Sequence, residues 1–223
     1  MLRLMSAAAA ALLLVSAGSI ASAQEAYVVS YAEANPANVG MARAALRQYR
    51  NASRKEDGNV RVEILQNIFR PQQFAVLEAW KDDKARETHA AAASAKALHE
   101  HLSSVLTAPY DERPHGGLAV SQFKGAAGSV YAVTHVDFVG AKKDDGIAAL
   151  KTLAAASVKD RGNIRYDVLQ QTSRPNHLTL VEVWHGVQAL EGHEAAAHTK
   201  TFRNDALPMT GALYDQRLYR LVN

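Results

Sequence analysis

The amino-acid sequence predicts an α+β protein in which one ferredoxin-like unit, with the order βαββαβ, occurs twice in tandem. Three observations support this prediction. The chain aligns with itself at an offset of 104 residues, each repeat alternates strand-like and helix-like segments in the same order, and the repeats fill nearly all of the chain beyond its N-terminal segment. A repeat of this length is a duplicated domain rather than a short solenoid unit.

The repeat is clearest in a central block, where 12 of 32 aligned positions are identical without a gap. This block covers residues 58–89 in the first copy and 162–193 in the second. The identical pairs include Gly58/Gly162, Asn59/Asn163, Arg61/Arg165, Leu65/Leu169, Gln66/Gln170, Arg70/Arg174, Pro71/Pro175, Glu78/Glu182, Trp80/Trp184 and His89/His193. One register is kept from the opening strand to the last strand of each copy, which favours duplication over chance similarity.

The elements of each repeat follow from composition and periodicity. A β-rich segment opens the repeat, and a segment with apolar residues at helical spacing comes next and stops at a glycine, Gly58 or Gly162, as suits a left-handed helix exit. A hairpin with an Arg-Pro turn follows, then a second helix, then a last strand. The predicted segments are 27–34, 38–55, 60–69, 73–80 and a helix from Asp82 in the first copy, and 131–139, 142–159, 164–172, 177–184 and 214–221 in the second.

This order predicts a four-stranded antiparallel sheet with both helices on one face. The other face needs a partner, and the second copy in the same chain can supply one. The chain is therefore expected to form an intramolecular dimeric α/β barrel. The predicted domains are 24–113 and 130–223, with residues 114–129 as a glycine-containing linker that contributes one extra strand at 118–123.

The N-terminal segment has the features of a secretory signal peptide at residues 1–23. Arg3 precedes an apolar run at 7–15 that is too short to span a bilayer, and Ala21-Ser22-Ala23 offers a cleavage site before Gln24. The protein is therefore expected in the periplasm of a Gram-negative cell, or otherwise secreted. No membrane association is predicted after cleavage.

Composition excludes several classes of function. The chain has no cysteine, which rules out disulfides, thiolate metal sites and thiol nucleophiles. The predicted mature part carries 24 basic and 22 acidic residues, and they are interspersed, so a nucleic-acid partner is not predicted. The chain also lacks a P-loop, a dinucleotide-binding fingerprint and a G-x-S-x-G motif.

Two sets of residues are candidates for chemistry. Glu182 and Trp184 share an otherwise apolar face of one strand, and Arg165 on the neighbouring strand is expected to pair with Glu182. The pair of Arg165 and Glu182 could be a structural ion pair or a part of a pocket. His193 lies in the helix that follows and is a candidate base, or a histidine hydrogen-bonded where helix and sheet meet. No metal site is predicted, because His193 and His198 are five residues apart rather than four and no third ligand is evident.

These residues resemble the antibiotic biosynthesis monooxygenase (ABM) family, which includes proteins assigned as quinol monooxygenases. The resemblance covers both repeats and rests on Gly162 to Gln170, Arg174 to His177, Leu180 to Trp184, His193 to Phe202 and Gly211 to Asp215. It implies the dimeric α/β barrel fold. It also implies oxidation of a small phenolic or quinol-type compound by O₂ without a cofactor, since an electron-rich phenolate can itself reduce O₂.

The resemblance implies roles for residues of the second copy. His193 would be the base, Arg165 and Asn163 would donate to the developing oxyanion, Glu182 would orient His193 or Arg165, and the remaining substrate-binding residues would be Trp184, His177, His198 and Phe202. The first copy has Gln73, Ser94 and Leu98 where the second has His177, His198 and Phe202. The second copy is therefore expected to be the active one.

Two alternatives remain open at the level of sequence. The barrel could hold a small hydrophobic ligand without turnover, or it could be a scaffold whose cavity is filled. Haem cleavage is a weaker enzyme reading, because relatives that degrade haem use an asparagine on the opening strand and residues 27–34 contain none. Whether two chains associate further is not predicted.

Overall fold

The computed structural model describes residues 24–122 and 127–222. The predicted signal peptide, residues 1–23, lies outside the described residues. Within the described part of the chain, no helix has the length and apolar character needed to cross a membrane.

The described elements follow the predicted order in both copies. The first copy contains β1 (Ala26–Glu33), α1 (Val39–Ser53), β2 (Asn59–Asn67), β3 (Gln73–Trp80), α2 (Asp83–Ala90), α3 (Ala93–Ser103) and β4 (Asp111–Ala119). The second copy contains β5 (Val130–Asp137), α4 (Lys143–Ser157), β6 (Asn163–Gln171), β7 (His177–Trp184), α5 (Val187–Ala195), α6 (Ala197–Ala206) and β8 (Asp215–Leu221). Both copies differ from the prediction in one respect. The single second helix predicted for each repeat is two helices separated by a short break.

The eight strands form one closed antiparallel barrel. Each copy supplies a four-stranded sheet, in the order β4-β1-β3-β2 and β8-β5-β7-β6. The two sheets join where β2 pairs with β8 and where β4 pairs with β6. Closure leaves no edge strand exposed, so the predicted intramolecular α/β barrel is confirmed.

The junction between the copies differs from the predicted linker. Residues 111–119 form one strand, β4, so the predicted boundary at residue 113 falls inside it and residues 118–119 end this strand rather than begin another. β4 pairs with β1 up to Gly116 and with β6 from His115 onward. Pro114 lies just before the β6 pairing begins, where its missing N–H disturbs only one ladder. Phe123, the end of the predicted extra strand, lies outside the described residues.

Alternation along the strands divides the apolar residues into an inner and two outer cores. The inner core fills the barrel and includes Tyr27, Val29, Leu65, Leu77, Tyr131, Val133, Leu169, Val181 and Tyr219. The outer cores lie between each sheet and its own helices. Trp184, Leu178 and Leu180 belong to the outer core of the second copy, so the face predicted to carry Glu182 and Trp184 is the one that α4, α5 and α6 cover.

Candidate functional site

The residues predicted to carry chemistry in the second copy meet where β7 faces α5. Trp184 donates from Nε1 to Glu182 Oε2 at 3.1 Å. The His193 ring stacks on the Trp184 ring, with centroids 4.8 Å apart and planes 27° apart. His193 Nε2 lies 3.6 Å from Glu182 Oε2. Glu182 and His193 are almost completely buried, so this contact is shielded from water.

Asp160 joins this group from the loop between α4 and β6. Its Oδ2 accepts a hydrogen bond from His193 Nδ1 at 2.8 Å. The loop can reach α5 because Gly162 has a φ of +85° and a Cβ there would lie 2.6 Å from the Cβ of Ala189 on that helix. A glycine is therefore needed for both backbone conformation and close approach. Asp160, Glu182, Trp184 and His193 are called the His193 cluster below.

The hydrogen bond to Asp160 determines what His193 can do. Because a carboxylate can only accept from the ring, Nδ1 carries a proton and Nε2 of the neutral ring is left as a lone pair. Burial lowers the pKa of His193, although Asp160 opposes this effect. Nε2 faces Glu182 Oε2 at 3.6 Å and Thr199 Oγ1 at 3.4 Å. The neutral ring in this tautomer can accept a proton, and the arrangement matches a carboxylate-oriented general base.

Glu182 is the second titratable group of the cluster. Burial raises its pKa to about 7, while the hydrogen bond from Trp184 and the charge of Arg203 oppose that rise. A carboxyl group with this pKa exchanges protons near neutral pH. Since Glu182 faces Nε2 of His193, the pair can take up and pass on a proton within the buried layer.

The first copy has the same residues but a different hydrogen-bond network. Its His89 stacks on Trp80 and contacts Glu56, which takes the place of Asp160. His89 Nε2 lies 3.6 Å from Glu78 Oε2, the same distance as in the second copy, but here Tyr49 on α1 also contacts both groups. The Tyr49 hydroxyl is 2.5 Å from Glu78 Oε1 and 2.7 Å from His89 Nε2.

The equivalent of Tyr49 in the second copy is Leu153, which offers no polar atom. The nearest aromatic replacement is Tyr166 on β6, at the position of Val62 in the first copy, and its ring meets His193 edge-on at 5.7 Å. Glu56, Glu78, Trp80 and His89 are called the His89 cluster. In the His89 cluster a tyrosine hydroxyl lies within hydrogen-bond distance of the histidine Nε2. No tyrosine among the described residues makes that contact in the His193 cluster.

Arg165 is not part of the His193 cluster, and the predicted ion pair with Glu182 is wrong. The β6–β7 register puts Tyr166 opposite Glu182, while Arg165 is opposite Val183 and points into the barrel. There Arg165 Nη1 lies 2.8 Å from Glu63 Oε2 of the first copy, and its Nε lies 3.4 Å from Asp167. The sheet itself therefore separates Arg165 from His193.

Arg165 belongs to a charged quartet inside the barrel, formed by Arg61, Glu63, Arg165 and Asp167. Arg61 lies 3.4 Å from Glu63 and 3.6 Å from Asp167, so two cations and two carboxylates face one another. Burial opposes ionisation of Glu63, but Arg165 and Arg61 outweigh it and hold its pKa below the usual range. The quartet links opposite strands of the two copies, which indicates a structural role.

Asn163 and His177 also lie away from His193. The Asn163 side chain donates to the backbone oxygen of Arg165 at the bulge that begins β6. His177 points into the barrel, where Nε2 lies 3.1 Å from His135 Nδ1 and Nδ1 lies 2.9 Å from Asp137. The structure therefore does not bring these two predicted binding residues to the candidate base.

His198 and Phe202 are brought close to the cluster by the break between α5 and α6. Ala196 is extended there, with ψ of 149°, so the spacing rule for a continuous helix does not apply to His193 and His198. His198 Nε2 lies 3.0 Å from Asp160 Oδ2, the same oxygen that His193 contacts. Phe202 is buried in the outer core that also contains Trp184 and Tyr166.

Two clefts open near these residues. One, of about 680 Å³, has a mixed polar and apolar lining that includes Asp160, His185, Gln188 and His193. The other, of about 790 Å³, is mainly apolar and is lined by Phe202, Ala206, Leu207, Leu213, Tyr214 and Arg203, among others. Phe202 lies between the second cleft and the His193 cluster, since it lines the former and packs in the core around the latter.

Sequence reasoning missed Asp160, Arg203 and Tyr214. Arg203 pairs with Glu194, lies over the Tyr214 ring at 5.7 Å, and is close enough to affect the pKa of both Glu182 and His193. The repeat alignment could have identified Asp160, because its equivalent in the first copy is the acidic Glu56. No comparable signal exists for Arg203, whose equivalent is His99.

Comparison with known families agrees with the repeat. The profile of the family described as antibiotic biosynthesis monooxygenase matches residues 26–101 and again residues 129–205, which together make up more than half of the chain. The chain belongs to the antibiotic biosynthesis monooxygenase family. No curated protein matches it significantly by sequence.

Solved structures share the complete barrel of this ABM-family chain. A protein from Fusobacterium nucleatum named "putative monooxygenase" superposes with a TM-score of 0.81 at 13% identity, over 90% of this chain and 94% of its own. A "putative monooxygenase" from Lactobacillus acidophilus gives 0.73 at 15% identity, over 89% and 93%. An "anthrone oxidase-like protein" gives 0.69 at 12% identity, over 90% and 92%. At these identities the likeness establishes the fold alone.

Proposed function

We propose that the second copy of this ABM-family protein oxidises a small phenolic or quinol-type compound with O₂ and without a cofactor, using His193 as the base. The observation that carries the proposal is the state of the histidine Nε2 in the two copies. In the His89 cluster the Tyr49 hydroxyl lies 2.7 Å from it, whereas in the His193 cluster Leu153 replaces the tyrosine and the hydroxyl contact is the longer one of Thr199 Oγ1, at 3.4 Å.

The chemistry requires one proton acceptor and little else from the protein. His193 Nε2 takes the phenolic proton, and Glu182 can accept it in turn because its pKa is about 7. The phenolate gives its electrons to O₂. A phenol with a free ring position then gains one oxygen atom as a C–O bond, loses the hydrogens of its O–H and that C–H bond, and becomes a quinone, while the second oxygen atom leaves as water.

The apolar cleft supplies a place for the ring. Phe202, Leu207 and Leu213 offer apolar surface, and Arg203 offers a cation for the developing negative charge. In this proposal Arg203 takes the role first expected of Arg165. Phe202, which lies in the middle of α6, has to move for the substrate oxygen to reach His193.

Oxygen consumption by matched variants tests the proposal. The chain from Gln24 onward, treated with a chelator, is assayed with a panel of hydroquinones, naphthols and anthrones. His193→Ala is expected to lower the rate by about 100-fold or more, the range of general-base effects. His89→Ala makes the equivalent truncation in the first copy and is expected to keep the rate. Equal loss in both variants, or no turnover of any compound by folded wild-type protein, would contradict the proposal.

A second candidate function is binding of a small hydrophobic ligand without turnover. It is favoured by one observation, that His193 does not line the apolar cleft. In that case a compound copurifies with the protein, is identified by mass spectrometry and is unchanged after exposure to O₂. Phe202→Ala would then reduce ligand retention, while His193→Ala would leave it unchanged.

A further inference from the structure

Three metal-ligand groups converge at the outer side of the His193 cluster. Asp160 Oδ2, His193 Nδ1 and His198 Nε2 all lie within 4.8 Å of one another. Two of the separations are 2.8 and 3.0 Å, both measured from Asp160 Oδ2. Ligands bound at roughly 2.0–2.2 Å around a tetrahedral ion are separated by distances only slightly longer than these. The separation of the two imidazole nitrogens is at most 4.8 Å, so side-chain movements of about 1 Å or less would admit an ion.

We propose that Asp160, His193 and His198 bind a divalent first-row transition-metal ion of the Zn²⁺ or Co²⁺ type. Two imidazoles and one carboxylate suit such ions, whereas Mg²⁺ and Ca²⁺ prefer oxygen ligands throughout. The site is reachable, because the Asp160 and His198 side chains are 21% and 28% exposed. Three protein ligands leave at least one position open for water or another small ligand.

The first copy shows that hydrogen bonding alone does not require His198. Its equivalent is Ser94, which donates from Oγ to Glu56 Oε1 at 2.6 Å and so makes the same contact with the same loop. A serine is thus sufficient to satisfy the loop carboxylate. The imidazole of His198 adds a second ring nitrogen at the point where His193 and Asp160 meet, and it becomes a metal ligand when the ion displaces the proton on that nitrogen.

Glu182 completes the arrangement from the buried side. A histidine that binds a metal through one nitrogen commonly directs the other toward a carboxylate, which orients the ring and makes it a better ligand. His193 Nε2 lies 3.6 Å from Glu182 Oε2, so His193 has this geometry. The nearby cation Arg203 would repel a metal ion, and its ion pair with Glu194 weakens this repulsion.

Metal binding and the base role of His193 exclude each other. Once Nδ1 holds the ion, Nε2 carries the proton and can no longer accept one from a substrate. Added Zn²⁺ is therefore expected to inhibit the oxidation proposed above. The metal site itself does not depend on that activity, since binding can be measured without substrate.

Titration of the untagged, metal-free chain with Co²⁺ and Zn²⁺ tests the site, by visible absorption and by calorimetry. Wild-type protein is expected to bind one ion per chain and to give the absorption bands of a four- or five-coordinate Co²⁺ centre. His198→Ser copies the first copy and is expected to weaken binding by about 100-fold or more, beyond typical outer-shell effects. His101→Ser removes an exposed histidine from α3 and serves as the control.

A gain-of-function variant provides the reverse test. Glu56→Asp combined with Ser94→His rebuilds the same three groups in the first copy and is expected to add a second Co²⁺ ion per chain. The proposal is overturned if wild-type protein binds no ion, or if His198→Ser and His101→Ser bind it equally well. Either outcome would leave the oxygen-consumption test of the proposed function intact.

Discussion

At the residue scale, one substitution between the copies changes the chemistry of an otherwise repeated cluster. Tyr49 of the first copy bridges Glu78 and His89 through its hydroxyl, whereas Leu153 of the second offers no hydroxyl to bridge Glu182 and His193. The sequence could predict the histidine, the glutamate and the tryptophan, because all three recur at the repeat offset. It could not predict the bridge, since Tyr49 belongs to a different element and its contact depends on how α1 packs.

The raised pKa of Glu182 gives a prediction at this scale. In the folded protein the group binds its proton up to about pH 7, compared with an ordinary value of 4.5. Its contribution to stability is therefore complete below pH 4.5 and is lost as pH rises toward 7, by an amount on the order of 3 kcal/mol. Glu182→Gln removes this dependence.

Urea denaturation of wild type and Glu182→Gln across this pH range measures the effect. The free energy of unfolding of the variant should gain on that of wild type between about pH 5 and pH 8, by up to roughly 3 kcal/mol. Glu191→Gln, at an exposed position on the neighbouring helix α5, controls for the loss of one negative charge. A constant difference between Glu182→Gln and wild type across the range would show that the carboxyl is not perturbed.

At the element scale, two local backbone features build the site. The break at Ala196 lets His193 and His198 approach one carboxylate, and the left-handed glycine exit at Gly162 brings that carboxylate to α5. The left-handed glycine could be predicted, because Gly58 and Gly162 recur at the repeat offset, but each first helix ends five residues earlier, at Ser53 or Ser157, and the glycine lies just before the next strand. The break could not, because Ala195-Ala196-Ala197 has high helix propensity and no proline or glycine interrupts it.

Gly162→Ala tests the role of the left-handed glycine in the loop between α4 and β6. The new Cβ would lie 2.6 Å from that of Ala189 and would force a side chain into a left-handed conformation, so a loss of about 1–3 kcal/mol in the free energy of unfolding is expected. Gly192→Ala is the matched control, because it lies on α5 with open space around its Cα and should be neutral or stabilising. Unchanged stability of Gly162→Ala would refute this account of the loop.

At the scale of the whole molecule, duplication supplies the second sheet and allows the two copies to diverge. Repeat order and strand alternation were sufficient to predict the barrel, because each bare sheet face needs a partner. They could not predict that Arg165 faces Glu63 rather than Glu182, since this follows from the bulge at the start of β6 and from contacts between copies. The first copy completes the barrel, and the second carries the unbridged histidine.

The most direct test of this difference between the copies exchanges the residues that distinguish the His193 cluster from the His89 cluster. Leu153→Tyr with Tyr166→Val gives the second copy the Tyr49 and Val62 pair of the first and roughly conserves volume, which limits the loss of stability. With the fold verified by circular dichroism, O₂ consumption with the best substrate is expected to fall at least about tenfold, because the new hydroxyl would engage His193 Nε2. The reciprocal variant, Tyr49→Leu with Val62→Tyr, should retain the wild-type rate. Full activity in the first variant, or loss of activity only in the reciprocal one, would contradict the account.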